Sequence, residues 1–185
     1  AGVDLNGTTY AINSTITTTG GGPLQITNGG VLTIAAAGDF NLDGLFLQDG
    51  AGTVTTSGDI TTTNDAITFT TATTLGGNIL LNTGAGAGTV TFLGILNGTV
   101  AGTETIGITA GTGNIVFTGA VGGVIRLGAI TLTSATDVTA AAITAASINQ
   151  VASTGTTTLN GAVNTNAVAG VDLNGTTYAI NSTIT

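Results

Sequence analysis

A chain of 185 residues in which Thr (42), Gly (31), Ala (25) and Asn (15) hold most positions has few bulky or chemically versatile side chains. Only 5% of residues are charged, and the single basic residue, Arg126, faces nine acids for a net charge of −8, which excludes a cationic groove for nucleic-acid phosphates. His, Cys, Met, Trp and Lys are absent, and with them go the usual general base, thiol nucleophile, soft metal ligands and Schiff-base amine.

Taken in order, the chain opens with AGVDLNGTTYAINSTIT at residues 1–17, where Val3/Leu5 and Tyr10/Ile12 are the first apolar pairs spaced by two. The same spacing recurs at Leu24/Ile26, Leu32/Ile34, Phe40/Leu42, Leu45/Leu47, Ile67/Phe69, Ile79/Leu81 and Val90/Phe92. It continues at Ile106/Ile108, Ile115/Phe117, Ile125/Leu127 and Ile130/Leu132. Each pair puts two side chains on one face of a short strand, while the Thr, Asp, Asn or Gly between them faces the other way. Turn signals separate the pairs, among them Asn6-Gly7, Asn28-Gly29-Gly30, Asp43-Gly44, Asn97-Gly98 and Gly122-Gly123. From Ala135 to Ala169 the pattern thins, and alanines at 140–142 and 145–146 predict narrow, alanine-packed turns of the same fold. Residues 169–185 then repeat residues 1–17 without a change, at an offset of 168.

No segment has helical apolar spacing, and no apolar run approaches the roughly 18 residues of a membrane helix. No basic start followed by an apolar stretch reads as a signal peptide. The repeat predicts a window on an array: residues 1–168 form one full unit and 169–185 begin the next, identical one. Asn-Gly also suits hairpins, but an indefinitely continuing fold favours a β-solenoid. So do Thr and Asn, which stack on successive rungs, and Phe69, Phe92 and Phe117, which recur at nearly equal intervals the size of one three-sided coil. A unit of 168 residues then makes about seven to eight coils and advances roughly 34 to 38 Å along the axis, at about 4.8 Å per rung. A string of β-sandwich domains of about 100 residues fits that period poorly.

Gly58-Asp59-Ile60-Thr61-Thr62-Thr63-Asn64-Asp65, Ala110-Gly111-Thr112-Gly113-Asn114-Ile115-Val116-Phe117 and Thr157-Thr158-Leu159-Asn160-Gly161-Ala162-Val163 carry a resemblance. The chain resembles, over nearly its whole length, the filamentous haemagglutinin type of surface protein and the giant "β strand repeat-containing" bacterial surface proteins. The resemblance implies a right-handed parallel β-helix, export to the cell surface, and a role in adhesion, biofilm matrix or filament structure. Arg126 is followed by Leu127-Gly128, so no Arg-Gly-Asp adhesive tripeptide is present.

Candidate chemistry is sparse. Asp39-Phe40-Asn41-Leu42-Asp43-Gly44 matches the opening of a calcium loop, but position twelve is Gly50 where a bidentate Glu is wanted. The reading preferred is a strand with Asp39, Asn41 and Asp43 outside and Phe40 and Leu42 inside. Asp59, Asp65, Glu104 and Asp137 are the acids from which a glycosidase pair about 5 to 9.5 Å apart would have to be drawn. No aromatic platform for a sugar accompanies them, and they read as solvated faces. Threonine strings at 15–19, 53–56, 61–63 and 156–158 suggest a water-ordering face, but their spacing is uneven. Sequons stand at Asn6, Asn13, Asn97, Asn174 and Asn181. The expectation is a non-catalytic structural repeat with no cofactor and no metal, extracellular, stacking head to tail with its neighbours. An adhesin stalk or a module for surface glycans is the alternative.

Overall fold

The computed structural model describes all 185 residues and is entirely β, with 23 short strands, every pair parallel, and no helix. Period-two apolar pairs separated by Gly and Asn corners produce this result: each pair fills one side of a triangle, and each corner turns the chain onto the next. The first side carries nine strands, from Val3–Gly7 through Leu24–Asn28, Phe46–Asp49 and Ile67–Phe69 to Thr177–Ile180. The second side runs from Tyr10–Ile12 through Leu32–Ile34, Val54–Thr56, Thr73–Leu75 and Leu96–Gly98. It continues through single bridges at Val121 and Ile143, the strand Val163–Thr165, and a last bridge at Ile184. The third side starts at Ile16–Thr17 and passes Phe40–Leu42, Ile60–Thr62, Ile79–Asn82, Ile106–Thr109 and Leu127–Ser134, ending at Val171–Leu173. The chain therefore makes eight complete coils and two sides of a ninth. Register partners on the first side show that the coils differ in length, the longest joining Val90↔Ile115 and the shortest Val138↔Thr157.

Thirty-four buried apolar residues form one continuous column. Phe46, Phe69, Phe92 and Phe117 stack along it with ring centroids 5.2, 5.0 and 5.7 Å apart, and Phe40 joins at 5.3 Å from Phe46. The interval from Phe69 to Phe92 and from Phe92 to Phe117 is thus one coil, as expected. The thin segment after Ala135 continues the same winding, with Ala140 and Ala145 fully buried in the column.

Four expectations are corrected. Leu45/Leu47 is not an inward pair: the strand Phe46–Asp49 buries Phe46 and Gln48, and Leu45 is 40% exposed. Contact of the Phe46 ring with Phe40 and Phe69 sets that parity. Ile125-Arg126 is not in a strand, because residues 122–126 bulge out from the second side before Leu127–Ser134 begins. Asn6-Gly7 and Asn97-Gly98 close strands and are not turns. Threonine is not confined to the outside, since Thr56, Thr62, Thr73, Thr83 and Thr157 are buried.

The two copies of the 17-residue block hold different sides. Val3/Leu5, Tyr10/Ile12 and Ile16 occupy the first, second and third sides. Val171/Leu173, Tyr178/Ile180 and Ile184 occupy the third, first and second. From Val3 to Val171 the chain makes seven coils and two further sides.

Candidate functional site

Asp39, Asp43, Asp59 and Asp137 lie at corners, and their chemistry is hydrogen bonding from rung to rung. At the corner before the third side, Asp39 Oδ1 accepts the Asp59 N–H at 2.9 Å and Asp59 Oδ1 accepts the Leu80 N–H at 2.7 Å. On the next coil Asn78 Oδ1 takes the Thr105 N–H at 2.9 Å. Before the first side the same device links Asn114 Oδ1 to the Asp137 N–H at 3.0 Å and Asp137 Oδ1 to the Thr156 N–H at 2.7 Å. An acceptor one rung below thus satisfies a backbone N–H at or next to the start of a strand. These acids read from sequence as solvated faces; they are corner staples.

Asp39, Asn41 and Asp43 fall on one strand and its two flanks. Phe40 and Leu42 are buried and Asn41 is exposed, as the preferred reading had it. Five extended residues place Asp39 and Asp43 at Cα atoms about 13 Å apart. Their carboxylates turn to different partners, Asp43 Oδ2 accepting the Gly21 N–H at 2.9 Å. That bond holds the Asp43 carboxyl below its ordinary range. The three therefore do not converge as a calcium loop requires. Asp59 stands at the corner before the third side and Asp65 at the one after it, so a strand separates them.

Glu104 is the one acid that is fully buried, at 6% exposed. Burial works against its charge, but Thr99 Oγ1 donates to it at 2.7 Å and the Thr99 and Val100 N–H groups at 3.1 Å. The donors prevail, and its pKa falls from 4.5 to about 2. The loop 99–103 is folded around this carboxylate. Nothing in the spacing of the sequence marks it.

A second feature missed from sequence is polar and internal. Gln48 Nε2 donates to Asn28 Oδ1 at 2.7 Å, and Gln48 Oε1 accepts from the Thr70 N–H at 3.1 Å and Thr71 Oγ1 at 3.3 Å, which ties three coils together inside one corner. Gln150 fills a like inward place near the other end and ties two adjacent coils, accepting from Thr157 Oγ1 at 2.8 Å and donating to Ser153 Oγ and the Asn174 carbonyl, both at 3.1 Å. No buried side-chain polar atom is left without a partner. The available signal was the amide in the inward place of Phe46-x-Gln48 and Ile148-x-Gln150.

The outer surface offers two shallow grooves, both on the third side. One, of about 390 Å³, runs across Leu80, Gly107 and Thr131, with Leu80 61% exposed and lying against Gly107. The other, about 350 Å³, is lined by Thr17, Asn41, Asp43 and Thr61. Outward threonines form single files such as Thr33–Thr55–Thr74, because a three-residue strand offers only one outward position. Of the sequons, Asn97 is buried with Oδ1 accepting the Val124 and Ile125 N–H groups, whereas Asn6, Asn13, Asn174 and Asn181 are exposed. Arg126 donates to the Ala145 and Asn164 carbonyls, fastening the 122–126 bulge to the next two coils. Comparison with family models, curated proteins and solved structures finds no match.

Proposed function

We propose that this chain is a non-catalytic structural repeat of a secreted bacterial cell-surface protein, and that its units follow one another along one axis to build an extracellular rod or filament. The observation that carries the reading is the seat of residues 169–185. A sequence identical to the first coil is wound onto the far end through the pairs Ile148↔Val171 and Leu159↔Ile180, so the winding has a place for the start of another unit. Asp39, Asp59 and Asp137 committed to corner staples and phenylalanines committed to the core support a structural role over catalysis or sugar stacking. The resemblance of the Thr-rich strands to giant surface proteins supports the extracellular location.

The test is length. A chain of three tandem 168-residue units, followed by residues 169–185, is expected to lengthen by about 37 Å per added unit at constant thickness, from seven and two-thirds coils at about 4.8 Å each. Small-angle scattering or electron microscopy reads this directly. Units that appear as separate beads joined at variable angles would overturn the reading.

A further inference from the structure

An asparagine followed by glycine can close a ring on itself, because glycine has no side chain to shield its backbone nitrogen. Closure needs a glycine N–H free to lose its proton and an asparagine side chain free to bring Cγ onto that nitrogen. Five such steps occur, at Asn6, Asn28, Asn97, Asn160 and Asn174.

Four of them are engaged by the winding. Asn28 is fully buried, its Nδ2 donates to the Gly30 carbonyl at 2.6 Å, and the Gly29 N–H donates to the Gly7 carbonyl at 2.9 Å. Asn97 is buried with Oδ1 accepting the Val124 and Ile125 N–H groups, and the Gly98 N–H donates to the Ile125 carbonyl at 3.3 Å. At Asn174 the Gly175 N–H donates to the Tyr178 hydroxyl at 2.5 Å and Nδ2 donates to Asp172 Oδ1 at 3.2 Å. Asn6-Gly7 lies within the strand Val3–Gly7, paired in register as far as Gly7↔Asn28, and closure would pull it out of that pairing.

Asn160-Gly161 escapes these restraints. It forms the corner between Thr156–Leu159 and Val163–Thr165, with Asn160 exposed and Gly161 half-buried. The Gly161 N–H has no acceptor in the protein and is left to water. Asn160 Oδ1 accepts the Asn181 Nδ2–H at 3.0 Å. That donor draws charge away from Cγ and stabilises the oxyanion formed when Cγ is attacked. The glycine is also required by packing, since a Cβ at 161 would lie 2.4 Å from the Ala142 nitrogen. The corner therefore holds the reactive pair in place.

We propose that Asn160-Gly161 is a site of spontaneous self-modification, at which the folded chain converts Asn160 to aspartate and isoaspartate with water as the only co-reactant. Water or hydroxide takes the Gly161 amide proton, the nitrogen bonds to Asn160 Cγ, and the Cγ–Nδ2 bond breaks with ammonia leaving. Water then opens the five-membered imide at either carbonyl. One opening gives aspartate; the other gives isoaspartate, whose backbone is longer by a methylene at the corner. Each event adds a negative charge to a chain that already carries −8. The proposal is independent of the rod reading.

The native chain, incubated at neutral to mildly alkaline pH and digested with pepsin in acid, tests this by mass spectrometry, with an isoaspartyl methyltransferase counting isoaspartate. Conversion at Asn160 is expected to run at least about ten-fold faster than at Asn28 or Asn97, where a hydrogen bond to the glycine N–H must first be broken. In urea the five steps are expected to convert at similar rates. Asn160→Gln keeps an amide but would need a six-membered ring, and it is expected to lose most of the isoaspartate signal of the native chain. Conversion at Asn28 or Asn97 as fast as at Asn160, or an undiminished signal in Asn160→Gln, overturns the proposal. So does an Asn160 that persists in the folded chain while it converts in urea.

Discussion

A carboxylate buried among threonines and backbone N–H groups makes the loop it closes sensitive to acid. Glu104 has its folded pKa lowered from 4.5 to about 2, so its contribution to stability is full above about pH 4.5 and is lost as the pH falls through 2. The linkage amounts to about 1 to 2 kcal/mol once solvent screening at the rim of the loop is allowed for. Denaturant unfolding of the native chain is expected to weaken between these limits by that much more than unfolding of Glu104→Gln, which has no proton to take up. Equal slopes in the two proteins would remove Glu104 from the account. This carboxylate was illegible in the sequence because its partners, Thr99 and Val100, make a local loop that has no period. The outward placement of Asn41 was legible, because buried Phe40 and Leu42 on either side leave it no other direction.

At the scale of the strand, the question is which alternate set of residues faces in. Two leucines at 45 and 47 outweigh one phenylalanine at 46 when the segment is read alone, and that reading is wrong. The decision belongs to the neighbouring coils, where Phe46 pairs with Leu24 below and Ile67 above and its ring meets Phe40 and Phe69. A slip by one residue would turn every side chain of the strand over. Gln48 then comes inside as a consequence, and Asn28, Thr70 and Thr71 repay its burial with hydrogen bonds. Most other pairs read correctly because their partners above and below are also apolar pairs, as at Ile67↔Val90 and Phe69↔Phe92. The parity has a sharp test. Phe46→Ala is expected to cost about 3 to 5 kcal/mol through loss of buried surface and the cavity left behind. Leu45→Ala and Leu47→Ala, on the outer face, should each cost less than about 1 kcal/mol. Thermal or urea melts of the three variants decide it, and a Leu47 variant as damaged as the Phe46 variant would mean the other face is inside.

At the scale of the whole molecule, a solenoid is a line of coils in which each touches only its neighbours, so stability varies along the axis. Fold class and the size of one coil were readable from repeated spacing; the phase of the two blocks was not. It depends on the sum of many corner lengths, and coils as unequal as Val90↔Ile115 and Val138↔Thr157 carry no mark of which side each strand will take. The outcome is that both ends are thinner than the middle. Val3–Gly7 and Thr177–Ile180 have no fully buried residue, whereas Ile67–Phe69 and Val90–Phe92 bury both inward side chains. Backbone amides exchange through openings whose cost follows such local burial. Hydrogen exchange read by mass spectrometry after pepsin digestion is therefore expected to show weakest protection in residues 1–17 and 169–185 and strongest protection between about 46 and 132. Uniform protection along the chain would mean that the coils open as one cooperative block.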